Sequence, residues 1–177
     1  MRIYLVGYMS AGKSTTAKRL ANRLGLEAYD TDRMFEERYR ISVNDFFQKY
    51  DEPLYRKLET QILHDTLAFD NAVIATGGGT PCFNDNMQWM LDHGLTVYLR
   101  LDEAGIMKRM AASRNIRPAI ASLSQDERAR FVHEQLQKRE PYYNSAHLVF
   151  DAANPDLAAI SGKIAGWISS GQMASTE

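Results

Sequence analysis

The stretch Gly7-Tyr8-Met9-Ser10-Ala11-Gly12-Lys13-Ser14 fits the phosphate-binding loop pattern G-x-x-x-x-G-K-[ST], and its surroundings give that pattern physical meaning. An apolar run, Ile3 to Val6, leads into it, and a helix-like stretch, Ser14 to Leu24, follows. A loop between a strand and a helix aims its backbone N–H groups and the positive helix end at one point, which favours a polyphosphate. Gly7 and Gly12 let the backbone curl around the anion, Lys13 reaches the terminal phosphates, and the Ser14 hydroxyl suits Mg²⁺. Average residue usage makes a chance match about one in a few hundred chains of this length, and the flanking strand and helix lower it further. A nucleoside triphosphate with Mg²⁺ is therefore expected here.

The bulk properties narrow the setting. The chain has 177 residues and a net charge of −1, enough for one domain with a real core and no charge-based case for nucleic acid or an anionic membrane. Cys82 is the sole cysteine, so intramolecular disulfides and multi-cysteine metal sites are excluded. The first strand begins within two residues of Met1, leaving no room for a signal peptide, and no apolar stretch approaches membrane-spanning length. A cytoplasmic monomer is expected.

Apolar runs alternate with helical patterns along the whole chain, the signature of an α/β protein with a parallel sheet. Strands are expected at Arg2–Val6, Glu27–Tyr29, Ala72–Ala75, Thr96–Leu101 and His147–Phe150. The first helix carries Ala17, Leu20, Ala21 and Leu24 at helical spacing and stops at Gly25. Another starts at Pro53, with Leu54, Leu58 and Ile62 on one face. Ser124-x-x-Glu127 is a capping box opening a helix toward Lys138, and Leu157, Ile160, Ile164 and Trp167 mark the last helix. The tail from residue 169 onward is small and polar and is expected to fray. Between Glu103 and Asp126 stand Lys108, Arg109, Arg114 and Arg117, with no acidic residue among them. Beside a phosphate loop, that run suggests a lid over about 110–124 that shields phosphoryl charge and excludes water.

Three further features sort the chemistry. Asp30-Thr31-Asp32 follows the second strand, where ligands of a parallel sheet bind. If the chain stays extended, both carboxylates point the same way, one toward Mg²⁺ and one toward an acceptor hydroxyl. The competing reading is a cap for a helix starting at Arg33. Gly77-Gly78-Gly79 follows the third strand and permits close approach of backbone to ligand, although a plain sharp turn would need no more. No acidic residue ends that strand, so Mg²⁺ would lean on Ser14, water and Asp30. Arg56, one helical turn before Glu59, and Arg139, before Pro141, would supply guanidinium forks for an acceptor carboxylate. Solvated surface arginines are the plainer reading.

Together these residues resemble the shikimate kinase family. The resemblance joins Gly7–Ser14, Asp30-Thr31-Asp32, Tyr55-Arg56-Lys57-Leu58-Glu59, the glycines at 77–79, Asn115-Ile116-Arg117-Pro118 and Lys138-Arg139-Glu140-Pro141, in the family's order, from Arg2 to about Pro155. It implies ATP-dependent phosphorylation of the shikimate 3-hydroxyl on the way to aromatic amino acids. It also implies a three-layer α/β/α P-loop fold with a five-stranded parallel sheet ordered 2-3-1-4-5. By position, Asp32, Arg56, Gly77, Gly78, Gly79 and Arg139 would bind shikimate in an acceptor region of about 33–61. Ser10, Ala11, Gly12, Lys13, Ser14 and Thr15 would hold the phosphates. Lys13 and Arg117 would act on the transferring phosphoryl, and Ser14 with Asp30 would serve Mg²⁺. Arg109 would stack on adenine, with Asn154 and Pro155 bordering it from the other side. The loop after Asp151 reads Ala152-Ala153-Asn154-Pro155, without the basic residue some members carry.

The mechanism implied is in-line transfer of the γ-phosphoryl to a hydroxyl oriented by Asp32, in which alignment and charge neutralisation outweigh a strong base. Two rivals remain at this level. One is a gluconate-type sugar-acid kinase, and the other a non-catalytic ATP-binding module that would release no phosphorylated hydroxy acid.

Overall fold

The computed structural model describes residues 1–112, 120 and 122–170. Its centre is a five-stranded parallel sheet in the order β2-β3-β1-β4-β5. The strands are β1 (Arg2–Val6), β2 (Glu27–Asp30), β3 (Ala72–Ala75), β4 (Leu95–Arg100) and β5 (Leu148–Asp151). The expected sheet order and parallel sense are as found. The three inner strands are buried on both faces, which is why their sequences read as unbroken apolar runs. The edge strands β2 and β5 are half-exposed and correspondingly more polar. Register places Leu5 of β1 opposite Ala75 of β3, and Asp30 of β2 beside the same Ala75. The loops that follow these strands therefore leave the sheet along one rim, where ligands of open α/β sheets bind.

The helices are α1 (Lys13–Leu24), α2 (Thr31–Tyr39), α3 (Val43–Lys49), α4 (Glu52–Asp65), α5 (Asn86–His93), α6 (Glu103–Ala112), α7 (Gln125–Tyr143) and α8 (Leu157–Ser169). Gly25 closes α1 in a left-handed conformation, and its N–H bonds Ala21 O. Ser124 and Glu127 form the full capping box, but α7 runs past Lys138 and through Pro141 to Tyr143. The main core surrounds the sheet, and a second aromatic core joins Phe35, Val43, Phe46, Tyr55 and Ile62. That second core packs α2, α3 and α4 together and fixes the rotation of α4 about its own axis. Leu54 thereby faces solvent, contrary to expectation, while Tyr55, Arg56, Glu59 and Ile62 turn inward. Positions 54, 58 and 62 drift by about 40° per step, so a run of fours leaves any single face.

No helix among the described residues is long and apolar enough to cross a membrane. Arg114, Arg117 and much of the expected lid lie outside the described residues, as does the tail from 171.

Candidate active site

The phosphate loop is built by the end of β1. Gly7 has φ 142°, and a Cβ there would lie 2.7 Å from Leu99 O of β4, so only glycine fits. Gly12 caps α1 with φ 87° and offers no side-chain bond to the first turn. That turn thus keeps backbone donors for an anion. Lys13 is buried, and its Nζ donates to Gly7 O at 2.8 Å and Tyr8 O at 2.9 Å. The ammonium is thereby drawn back over the loop, its position set before any ligand arrives. Ser14 and Thr15 stand exposed in the first turn of α1.

The Asp30-Thr31-Asp32 segment departs from the extended expectation. The chain turns into α2 at Thr31, and Asp30 is its N-cap, accepting from Asp32 N at 3.1 Å and Arg33 N at 3.3 Å through Oδ1. The cap expected for a helix at Arg33 is thus made by Asp30, two residues earlier than read. Asp32 stands on the first turn, half-buried, with its carboxylate beside Gly77. The Thr31 hydroxyl accepts from Gly77 N at 3.1 Å and ties this turn to the glycine run.

The glycines themselves are a junction. A Cβ on Gly77 would lie 2.7 Å from Glu59 Oε1, 2.8 Å from Thr80 Oγ1 and 3.0 Å from Asp32 Oδ1. On Gly78 it would lie 3.1 Å from Met9 N of the phosphate loop, and on Gly79 2.7 Å from both Nη1 and Nη2 of Arg56. Three missing side chains therefore let the phosphate loop, Asp32 and Arg56 approach one tripeptide. From the far side Tyr143, fully buried on α7, donates its hydroxyl to Gly78 O at 2.5 Å. Burial pushes that phenol far above its ordinary range, so it remains a donor.

Arg56 is nearly as buried as Lys13. Its Nη1 donates to Glu59 Oε2 at 2.8 Å, as the spacing of three predicts, and its Nε and Nη2 donate to Glu52 Oε1 at 3.0 and 2.8 Å. Phe83 covers the guanidinium at 4.1 Å. Burial works against its charge, but the carboxylates of Glu59 and Glu52 overcome this and hold its pKa above the ordinary value. Arg139 lies over the Tyr8 ring at 5.5 Å. Cys82 lines the same cavity as both arginines, and burial pushes its thiol up to about 11 despite their charges, so it stays neutral.

Arg56 and Arg139 share a cavity of about 710 Å³ with Met9 of the phosphate loop, Glu52, Phe83 and Gln135. Its wall mixes aromatic and aliphatic side chains with charged and amide groups, which suits a small polar acid. Glu52, Phe83 and Tyr143 were not singled out in the sequence. Glu52 precedes Arg56 by four residues, a spacing that could have signalled it, but Phe83 and Tyr143 come from distant segments.

Arg109 stands apart from these. It is on α6, and its Nη1 donates to Ser10 O at 3.1 Å, while Nη2 donates to Ala152 O and, at 3.4 Å, Ala153 O. It bridges the phosphate loop to the segment carrying Asn154, exposed, and Pro155, half-buried. Among the described residues no group of three or more His, Cys, Asp or Glu side chains could hold a metal ion.

Known proteins match this arrangement over nearly its whole length. The family model described as shikimate kinase matches residues 9–169. A shikimate kinase of Parabacteroides distasonis is 41% identical over 151 residues, covering 85% of this chain and 87% of its own. The crystal structure of shikimate kinase from Bacteroides thetaiotaomicron superposes with a TM-score of 0.88 at 34% identity, covering 96% of this chain and 98% of that one. Shikimate kinase from Acinetobacter baumannii in complex with shikimate gives a TM-score of 0.83 at 28% identity, covering 96% and 93%. With the phosphate loop and the arginine-lined cavity meeting at one glycine junction, the chain belongs to the shikimate kinase family.

Proposed function

We infer that the protein transfers the γ-phosphoryl group of ATP to the 3-hydroxyl of shikimate, releasing ADP and shikimate 3-phosphate. The observation that supports this reading is the close approach of Gly78 to the phosphate loop and of Gly79 to Arg56, so that a phosphate donor and a carboxylate anchor would meet one residue apart. Lys13 neutralises phosphate charge, with Ser10, Ala11, Gly12, Ser14 and Thr15 around the phosphates. Asp32 orients the attacking hydroxyl and takes its proton as the bond to phosphorus forms. The transition state of such transfers is loose, so alignment matters more than base strength. Arg56 and Arg139 hold the acid's carboxylate with Gly77, Gly78 and Gly79 beneath the ring. Arg109, Asn154 and Pro155 flank the adenine, and Arg117 reaches the transferring group from the lid.

Mg²⁺ fits the donors present. Both bonds of Asp30 fall on Oδ1, leaving Oδ2 for a hydrated ion, and Ser14 adds a hydroxyl. Two hard oxygens suit an ion that keeps most of its waters and binds through phosphates. Bound there by Ser14 and Asp30, it would neutralise phosphate charge. We further read the chain as one cytoplasmic, monomeric kinase domain.

The test is ADP release with shikimate, quinate or gluconate as acceptor. Strong stimulation by shikimate alone is expected. Equal turnover with gluconate would replace the reading by a sugar-acid kinase, and no stimulation by any acceptor would leave only nucleotide binding.

A further inference from the structure

Arg56 has two carboxylate partners, and they are held very differently. Glu59 has 4% side-chain exposure, and its Oε1 accepts from Thr80 Oγ1 at 2.6 Å. It is fixed. Glu52 has 53% side-chain exposure and stands at the first position of α4 on the lip of the cavity. Its single oxygen Oε1 takes both Nε and Nη2 of the guanidinium. Those two groups form one of the edges by which arginine grips a carboxylate through parallel bonds. The other edge, Nη1 with Nη2, backs onto Gly79, and Glu59 takes Nη1. Phe83 covers a flat face. Glu52, which occupies the remaining edge, lines the cavity together with Arg56.

We propose that Glu52 is an internal competitor for the acceptor's carboxylate, seated on Arg56 until the acid displaces it. This rests on Arg56 being the acid anchor of the proposed reaction. Displacement is inexpensive because the incoming carboxylate keeps the buried guanidinium paired, while Glu52, already half in water, regains its hydration. It also remains in the first turn of α4, where negative charge is favoured. The incoming carboxylate gains two bonds from two oxygens where Glu52 uses one. An acceptor without a carboxylate cannot dislodge Glu52, so Arg56 stays closed to neutral polyols. Glu52 thus sets acceptor specificity as well as affinity.

The opposite role makes the opposite forecast. If Glu52 served to position Arg56, removing it would loosen the anchor and raise KM. The experiment compares the unaltered protein with Glu52→Gln and Glu52→Ala, each checked for cooperative unfolding. Readouts are KM for shikimate and for ATP, and equilibrium binding of shikimate and of its uncharged methyl ester. Both variants should lower KM for shikimate roughly two- to fivefold, since the acid then meets no rival carboxylate on that edge, a gain of about 0.4–1 kcal/mol. KM for ATP and affinity for the ester should not change. A raised or unchanged shikimate KM, or an equal gain in ester affinity, would overturn the proposal while leaving the kinase assignment intact. Failure of the unaltered protein to phosphorylate shikimate would overturn both.

Discussion

Replacing Gly79 by alanine drives a methyl group against the guanidinium of Arg56 without substituting any charged residue. The added Cβ would lie 2.7 Å from Nη1 and Nη2 and 2.9 Å from Cζ. The Gly79 backbone, at φ −91° and ψ −19°, is open to any residue, so the perturbation falls on this contact alone. Unstrained heavy-atom contacts lie at roughly 3.5–4.0 Å, so the guanidinium must withdraw by about 1 Å. Phe83 at 4.1 Å and the Glu59 pair at 2.8 Å oppose a simple slide. A displacement of that size breaks hydrogen-bond geometry with the substrate carboxylate. One charge-assisted bond is worth about 1.5–3 kcal/mol, or roughly 10- to 150-fold in KM. Stability should fall by roughly 1–3 kcal/mol, because the buried pair with Glu59 is strained as the guanidinium yields. The assay is coupled ADP release, varying shikimate at saturating ATP and then ATP at saturating shikimate. The expected result is a shikimate KM raised at least about tenfold, with the ATP KM within about threefold. A folded Gly79→Ala protein with an unaltered shikimate KM would refute the reasoning that Arg56 is the acid anchor.

Other outcomes follow from the same geometry. Lys13→Met should cut kcat by about a hundredfold or more in the ADP-release assay, since the ammonium already held over Gly7 O and Tyr8 O supplies preorganised charge. Tyr143→Phe leaves Gly78 O without its buried donor and should cost about 1–3 kcal/mol in a urea titration. Stability should also fall with acidity through the histidines. His147 Nδ1 accepts from Thr96 N at 3.1 Å, so it is unprotonated in the fold, and burial lowers its pKa. His64 is shifted the same way, by burial and then by His93. A depressed folded pKa means the unfolded chain binds more protons. The contribution is therefore intact above the ordinary histidine value of about 6.5 and declines as pH drops below it. Urea midpoints measured from pH 7.5 to 5.5 should fall, and a His147→Gln variant should flatten the slope; an equal slope in both would exclude His147 as the source.

What the sequence made legible was local or repetitive. The phosphate loop is a contiguous motif, the inner strands β1, β3 and β4 are continuous apolar runs, and Ser124 with Glu127 is a cap written four letters long. Interactions between distant segments were not legible. Nothing near Leu54 announces that an aromatic core of Phe35, Phe46 and Tyr55 will turn α4 so that Leu54 faces water. The Asp30 carboxylate, read as a metal donor on an extended strand, also caps Asp32 N and Arg33 N through Oδ1, because the helix begins one residue after the strand ends. Glu59 was legible as a partner of Arg56 because it lies one turn away on the same helix. Phe83 and Tyr143 reach the site only through tertiary packing, so no spacing could have named them.

The physical role of the glycine run follows from what a loose transition state demands. Such a reaction gains little from a stronger base and much from placing three groups in line, and a misplacement of about 1 Å can cost a hundredfold. A long side chain would be a poor ruler for that distance, since each torsion adds play. A tripeptide is a good one. Gly77 N is tied to Thr31 beside Asp32, Gly78 O is tied to Tyr143, and the bare α-carbons of Gly78 and Gly79 abut Met9 N and Arg56. The phosphate loop, Asp32 and Arg56, the groups proposed to hold donor, hydroxyl and acid, are thus all referred to one short piece of backbone. Any side chain larger than hydrogen there would move two of these groups relative to each other, which makes the spacing between them, more than the identity of any one group, the quantity the fold protects.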